Sequence, residues 1–262
     1  MITGASSGMG LTTAKYLMEK GYKVYGTARQ PDKYEVPFPM LALDYMDEDS
    51  IHSAAKEVME KEGRIDVLIN NGGRGMIGPV SETPQDDIRA LFQTNVFGPL
   101  ALIKAILPYM NREGDGLIIN ITSIAGYAGL PFRGVYSSSK AAMMMLSEAL
   151  RFELHDTGVR ITDIAPGDFR TGIAAKRFYT PNRPGSPYYN NYERILRQID
   201  EEVDKGYPPE AMAKLIEKII LTPHPKLQYR IGPRMQIILP WAKQLLPSFL
   251  YEKIILKMYG LD

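Results

Sequence analysis

At 262 residues the chain suits one α/β domain, and with 45% hydrophobic and 23% charged residues it lies outside disordered and fibrous compositions. Thirty-one basic residues against thirty acidic ones give a formal charge of +1, which offers no electrostatic footprint for nucleic acid and points to small-molecule partners. The absence of cysteine excludes disulfides and thiolate ligands, and His52, His155 and His224 lack metal-ligand spacing, so no metal site is expected.

The start has no basic region ahead of an apolar stretch, and no run of about 18 consecutive apolar residues follows. The expectation is therefore a soluble, cytoplasmic protein. Short apolar runs alternate with longer helical patterns, the mark of βαβ units around a parallel sheet with helices on both faces. In chain order, strands are expected near Lys23–Thr27, Met40–Leu43, Val67–Asn70, Leu117–Ile121 and Ile161–Ala165. Helices fall between them: Leu11, Ala14, Leu17 and Met18 mark one, Ile51, Ala54, Ala55, Val58 and Met59 a second, and a long one runs from after Pro84 to near Asn111. Residues 168–209 are rich in Pro, Tyr and Asn, too long for a simple βα connection, and follow a strand end where α/β sheets place ligands; a substrate lid is expected there. From Leu239 to the end, apolar residues interleave with Lys243, Lys253 and Lys257, giving an amphipathic helix pair that packs on its own domain, on a partner subunit or on a membrane surface. All of this fits a single Rossmann-like domain over residues 1–262.

Thr3-Gly4-Ala5-Ser6-Ser7-Gly8-Met9-Gly10 sits between an apolar start and a helical pattern. Glycines let such a turn approach a pyrophosphate, whose charge is favoured at a helix N-terminus. About 20 residues on, where an acid would bind the ribose 2′-hydroxyl of NAD, the segment Val24–Arg29 has none; Arg29 suits a 2′-phosphate instead, so NADP(H) is favoured over NAD(H). The same turn also spells G-x-S-x-G, leaving open a serine hydrolase using Ser6, although that fold needs strands ahead of its elbow. Tyr136 and Lys140 are four apart and share a helical face, where an ammonium lowers the phenol pKa and fits it for proton exchange with an alcohol or ketone oxygen.

Those segments, with Ser123 in ITSIAG, Asn95 in TNVFG, Asn70-Asn71-Gly72-Gly73 and Pro166-Gly167, form an ordered set that resembles the short-chain dehydrogenase/reductase family through nearly the whole chain. The resemblance implies hydride transfer between cofactor and substrate carbon, with Tyr136 as general acid–base. It further implies that Lys140 lowers the phenol pKa and binds the nicotinamide ribose, that Ser123 holds the reacting oxygen, and that Asn95 positions a water. Around the dinucleotide it implies Gly4, Ser6, Ser7, Gly8 and Met9 at the phosphates and ribose, Asp44 at adenine, Asn70 in the central cleft, and Phe169 and Thr171 near the nicotinamide. Two departures stand out: Gly72 replaces the usual alanine, and Met1-Ile2 leaves a shorter first strand than the family has, as if the native start lay further upstream.

Within the family, Thr27-Ala28-Arg29 and the long segment before the final helix resemble the group acting on steroids, retinoids and lipid-like carbonyl compounds. Tyr179, Tyr188, Tyr189 and Tyr192 suit a bulky alcohol or ketone. Met143, Met144, Met145, Leu146 and Leu150 exceed one core-facing stripe, and relatives often pair through this helix, so a homodimer or homotetramer is expected. A non-catalytic dinucleotide-binding regulator is the remaining alternative.

Overall fold

The computed structural model describes residues 1–170, 177–204 and 206–262. In chain order the helices are α1 (Gly8–Glu19), α2 (Glu48–Glu62), α3 (Gln85–Phe92), α4 (Gly98–Glu113), α5 (Gly134–Glu153), α6 (Tyr189–Asp204), α7 (Pro209–Ile220), α8 (Arg234–Leu245) and α9 (Ser248–Tyr259). The strands are β1 (Gly26–Ala28), β2 (Met40–Ala42), β3 (Val67–Asn70), β4 (Met76–Ile77), β5 (Gly116–Ile121), β6 (Val159–Pro166), β7 (Phe178–Tyr179) and β8 (Gln228–Ile231).

All pairings are parallel. β2 pairs with β1, and β3-β5-β6-β8 continue in that order. The two groups are joined by Ile2, which bridges Gly26 on one side and Ile69 on the other. The chain start thus lies in the middle of the sheet, with Ile2 N donating to Tyr25 O at 2.8 Å and Thr3 N to Ile69 O at 3.0 Å.

Side chains alternate across the sheet with the period of two that strands impose. Leu117, Ile119 and Ile121 of β5 join Ala14 and Leu17 of α1 and Met212 and Ile216 of α7 on one face. Ile118, with Leu68 and Ile161, joins Ile51, Leu102, Ile103 and Met143 on the other. Both faces of the sheet are therefore covered, which is why its strands read as continuous apolar runs.

The long helix expected after Pro84 exists but is interrupted: a π-helical turn, Gln93–Phe97, separates α3 from α4. By length and composition the whole Gln85–Glu113 stretch would cross a bilayer, yet Leu91, Leu102, Ile103, Ile106 and Met110 lie buried in the core. Within residues 168–209, where a lid is expected, the described part carries β7 and α6. β7 pairs with β4, and α6 buries Tyr192, Ile195 and Ile199 against Ile77 and against Ile255 and Tyr259 of α9. The tail forms two helices, α8 and α9, and the first begins at Arg234, ahead of Leu239.

Candidate active site

The turn after Ile2 is built by close backbone approach. Gly4 has φ +65° and Gly8 φ +55°, the left-handed region in which a side chain is strained. A Cβ at Gly10 would come within 2.4 Å of both Gly4 O and Asn71 Nδ2. Thr3 organises what faces this turn: its Oγ1 accepts from Asn71 N, Gly72 N and the Tyr45 hydroxyl, each at 2.9 Å. The Asn71 amide in turn donates to Thr3 O at 2.9 Å. Ser6 and Ser7 lead into α1, whose first turn begins with Gly8 and Met9 beside this cradle. That arrangement fits the pyrophosphate of a dinucleotide.

The glycine at position 72 has a steric cause. A Cβ there would meet Tyr45 Cε2 at 3.0 Å, and the Tyr45 ring also lies against Gly98. A methyl at 72 would require the Tyr45 ring to give way by a few tenths of an ångström. Thr3, Tyr45 and Asn71 were not legible as site-building residues from sequence. The departure at Gly72 was the signal that could have pointed to Tyr45.

Four expected residues come together around the carboxyl ends of β5 and β6. Asn95, buried in the π turn, accepts from Arg74 N at 2.8 Å and donates to Arg74 O and Ser139 Oγ at 2.9 and 3.1 Å. In this state its amide braces the loop after Asn71 directly. Lys140 Nζ donates to Ile121 O at 2.9 Å and lies 6.0 Å from the centre of the Tyr136 ring. A Cβ on Gly73 would sit 3.1 Å from Asn95 Oδ1 and 3.5 Å from Lys140 Nζ, so the two groups converge on one point. Ser123 ends the turn after β5, accepts from Ala125 N at 3.1 Å, and lies close enough to the Tyr136 phenol to oppose the rise that burial gives its pKa.

The electrostatics correct one expectation. Tyr136 is half-buried as a residue, but its phenol lies deep, and burial raises its pKa above the usual 10.0. Ser123 and the charges of Arg133 and Arg177 pull it down, without overcoming burial. Lys140 is itself lowered to about 8 by burial, with Asp163 opposing, and its ammonium points at Ile121 O rather than at the phenol. The neutral phenol is therefore the resting form, ready to donate a proton.

The other expected residues are more scattered. Asn70 is buried and donates to Asn120 Oδ1 at 2.9 Å, inside the sheet rather than into an open cleft. The Asp44 carboxylate accepts from Met46 N at 3.0 Å in a local turn. Arg29 is exposed just past the end of β1; the pKa of Arg74 is lowered first by burial and then by the nearby Arg29 charge. Phe169 is buried in the core with its ring against Tyr207, 6.1 Å between centroids. Thr171 lies outside the described residues.

Among the tyrosines of the 168–209 segment, Tyr192 is a packing residue. It is fully buried, stacks on Phe132 at 5.5 Å, and directs its hydroxyl at Thr180 O and Ile77 O, 2.8 and 3.0 Å away. Phe132 itself has φ +58°, the one non-glycine residue with positive φ among the described residues, in the loop between Ser123 and Tyr136. Beside Tyr136 lie Met76, Val135 and Phe178, an apolar wall. The hydrolase alternative lacks its base, since all three histidines are exposed and His155 pairs with its neighbour Asp156.

Residues 1–182 match the family model described as short chain dehydrogenase. The chain is 35% identical over 262 residues to the 3-ketodihydrosphingosine reductase of Bacteroides thetaiotaomicron, covering 100% of this chain and 97% of that protein. It is 31% identical to the NADPH-dependent 3-dehydrocapnine reductase of Ornithobacterium rhinotracheale, covering 98% of this chain and 95% of the relative. Among solved structures, a short-chain dehydrogenase from Streptomyces avermitilis superimposes with a TM-score of 0.84 at 30% identity, covering 100% and 97% of the two chains. The chain belongs to the short-chain dehydrogenase family and is an oxidoreductase acting on CH–OH and C=O groups.

Proposed function

We propose that the protein interconverts a ketone and a secondary alcohol on a long-chain, lipid-like substrate, with NADP(H) as cofactor and Tyr136 as the proton-transferring residue. The observation that carries this reading is the Ser123–Tyr136 pair set beside the apolar wall of Met76, Val135 and Phe178, with Lys140 buried behind it. The bound dinucleotide supplies or accepts the hydride at the substrate carbon.

The chain's own residues handle the oxygen. Ser123 positions it by a hydrogen bond, and Tyr136 gives it a proton in the reducing direction or takes one in the oxidising direction. Lys140 is the group that returns a proton to Tyr136 and holds the nicotinamide ribose. Asn95 keeps the loop at Arg74 in register beside it. Gly4, Ser6, Ser7, Gly8 and Met9 hold the pyrophosphate side, and Arg29 meets the 2′-phosphate. The described part of the 168–209 segment, β7 and α6, covers the substrate.

Two relatives named for reducing a 3-keto or 3-dehydro compound narrow the earlier steroid and retinoid grouping towards sphingoid-type 3-ketones. Assembly belongs to the same reading: Met143 and Met144 are buried in the core, but Met145 and Phe152 of α5 and Phe97 beside α4 stay exposed, a surface for a homodimer or homotetramer.

Cofactor oxidation should be followed with NADPH and NADH over 3-ketodihydrosphingosine, simple long-chain ketones, a steroid, a retinal and a small polar ketone. The expected result is turnover of the long-chain 3-ketone with NADPH, and an Arg29→Asp variant weakened far more towards NADPH than NADH. Preference for a small polar ketone, or equal weakening towards both cofactors, would contradict the reading.

A further inference from the structure

Helices α8 and α9 each pack one face inward and leave a second apolar stripe outside. In α9, Ile255 and Tyr259 are buried against Tyr192 and Ile195, with Tyr251 packed against the same cluster, and Arg194 binds the helix end through Tyr259 O and Gly260 O at 2.9 and 2.6 Å. On the outer side of the pair, Met235, Ile238, Trp241 and Leu245 follow helical spacing along α8, and Phe249, Leu250, Ile254 and Met258 do so along α9. These eight make up nearly half of the eighteen large hydrophobic residues exposed among the described residues, although 235–258 is a small part of the chain. A core-packing helix needs only one apolar face, so the second calls for a partner.

Charge indicates which partner. Residues 234–258 contain Arg234, Lys243, Lys253 and Lys257 against one acid, Glu252, while the whole chain is balanced at thirty-one to thirty. By helical spacing Lys253 and Lys257 fall between Phe249 and the Ile254–Met258 side of α9, so basic heads are interleaved with the exposed apolar residues. Trp241 lies in the same stripe with the Arg230 guanidinium over its ring, 5.0 Å from the centroid. A twofold contact with a second copy would set this basic excess against itself, because such an interface uses the same patch twice. Basic heads interleaved with exposed apolar side chains, and a tryptophan among them, together suit the boundary between anionic headgroups and acyl chains.

We propose that the outer face of α8 and α9 docks on an anionic phospholipid surface. The same two helices brace both walls of the substrate side. Gln236 of α8 accepts from Asp168 N at 2.9 Å just after the Pro166-Gly167 turn, and α9 packs on α6 of the covering segment. A long-chain ketone would then reach the cleft from the bilayer rather than through water; this purpose, unlike the docking itself, rests on the lipid-substrate reading above.

The test is co-sedimentation of the full chain with vesicles of phosphatidylcholine alone and of phosphatidylcholine mixed with phosphatidylglycerol, alongside sedimentation velocity without lipid. Binding to the anionic vesicles that weakens with salt is expected. Lys253→Glu with Lys257→Glu should lower it about tenfold or more, and Leu245→Ser with Phe249→Ser should do the same. Both double variants should keep wild-type turnover of a water-soluble ketone, which separates loss of docking from loss of fold or site. No vesicle binding by the wild type, or variants that bind as well as it does, would overturn the proposal. So would dissociation of an oligomer by Leu245→Ser with Phe249→Ser, which would assign the stripe to a second copy. Vesicle binding without turnover of any long-chain ketone would uphold the docking face and refute the substrate reading instead.

Discussion

Around Thr3–Gly10 the chain is held by main-chain groups and small side chains at contact distance, whereas from Phe178 to Tyr259 it is held by interlocking apolar surfaces. On the first side a methyl group at Gly10 has no room, and one hydroxyl, that of Thr3, organises two strand ends. On the second side Tyr192, Ile195, Ile199, Ile255 and Tyr259 make a separate small core, and neighbouring faces stay open to solvent. Geometry fixed by the backbone demands particular residues at particular spacings. Geometry fixed by apolar packing demands only shape and volume, which many sequences satisfy.

The largest test of this contrast lies where the two sides meet. Asp163 of β6 is fully buried and shares a sheet register with Asn120 of β5, which in turn lies opposite Asn70 of β3. Asn120 donates to Ser147 Oγ, and Ser147 donates to Met143 O, so neither carboxylate oxygen of Asp163 has a partner in hydrogen-bonding geometry. Burial raises its pKa from 3.8 to about 7, with the nearby polar groups and the Lys140 charge opposing. Because the folded value is above the unfolded one, the unfolded state holds fewer protons between those two pH values, and stability falls as pH rises through that window. Asp163→Asn, which does not titrate, should gain on the wild type from pH 4 to pH 7 and hold its advantage above, by up to about 4 kcal/mol in urea unfolding. A constant difference across that range would show that ionisation of Asp163 is not what burdens the fold.

A smaller effect sharpens the cofactor side. Gly10→Ala should cost about 1–3 kcal/mol of stability by overpacking, because Gly4 O is backbone and cannot turn aside. It should weaken NADPH binding measured by fluorescence while leaving KM for the ketone unchanged at saturating cofactor. A variant with wild-type affinity would mean that the cradle is looser than its contacts imply.

Legibility from sequence follows the same division. The parallel strands Val67–Asn70 and Leu117–Ile121 were evident because burial on both faces makes uninterrupted apolar runs. Tyr136 and Lys140 were suggested by their four-residue spacing, whereas Ser123 and Asn95 were singled out only by resemblance to the family; the structure brings the four close together. β8 was missed because Gln228–Ile231 is only half-buried and its Gln-Tyr-Arg-Ile alternation spans just four residues, too few to stand out as a strand. β4 and β7 are two residues each and exist only as a pair across the fold, so no local signal could reveal them. Helix α6 was obscured by the Pro- and Tyr-rich stretch before it. The direction of the Tyr136 pKa shift was misjudged for a related reason: sequence spacing reveals that an ammonium is near but not that burial outweighs it.

The central claim is that the Tyr136 phenol, kept neutral by burial and set close to Ser123, transfers the proton beside the dinucleotide. Its most direct test measures Tyr136→Phe twice, once for NADPH binding and once for ketone turnover. The account predicts unchanged NADPH affinity with turnover reduced about 10²–10⁴-fold; turnover equal to the wild type would contradict it.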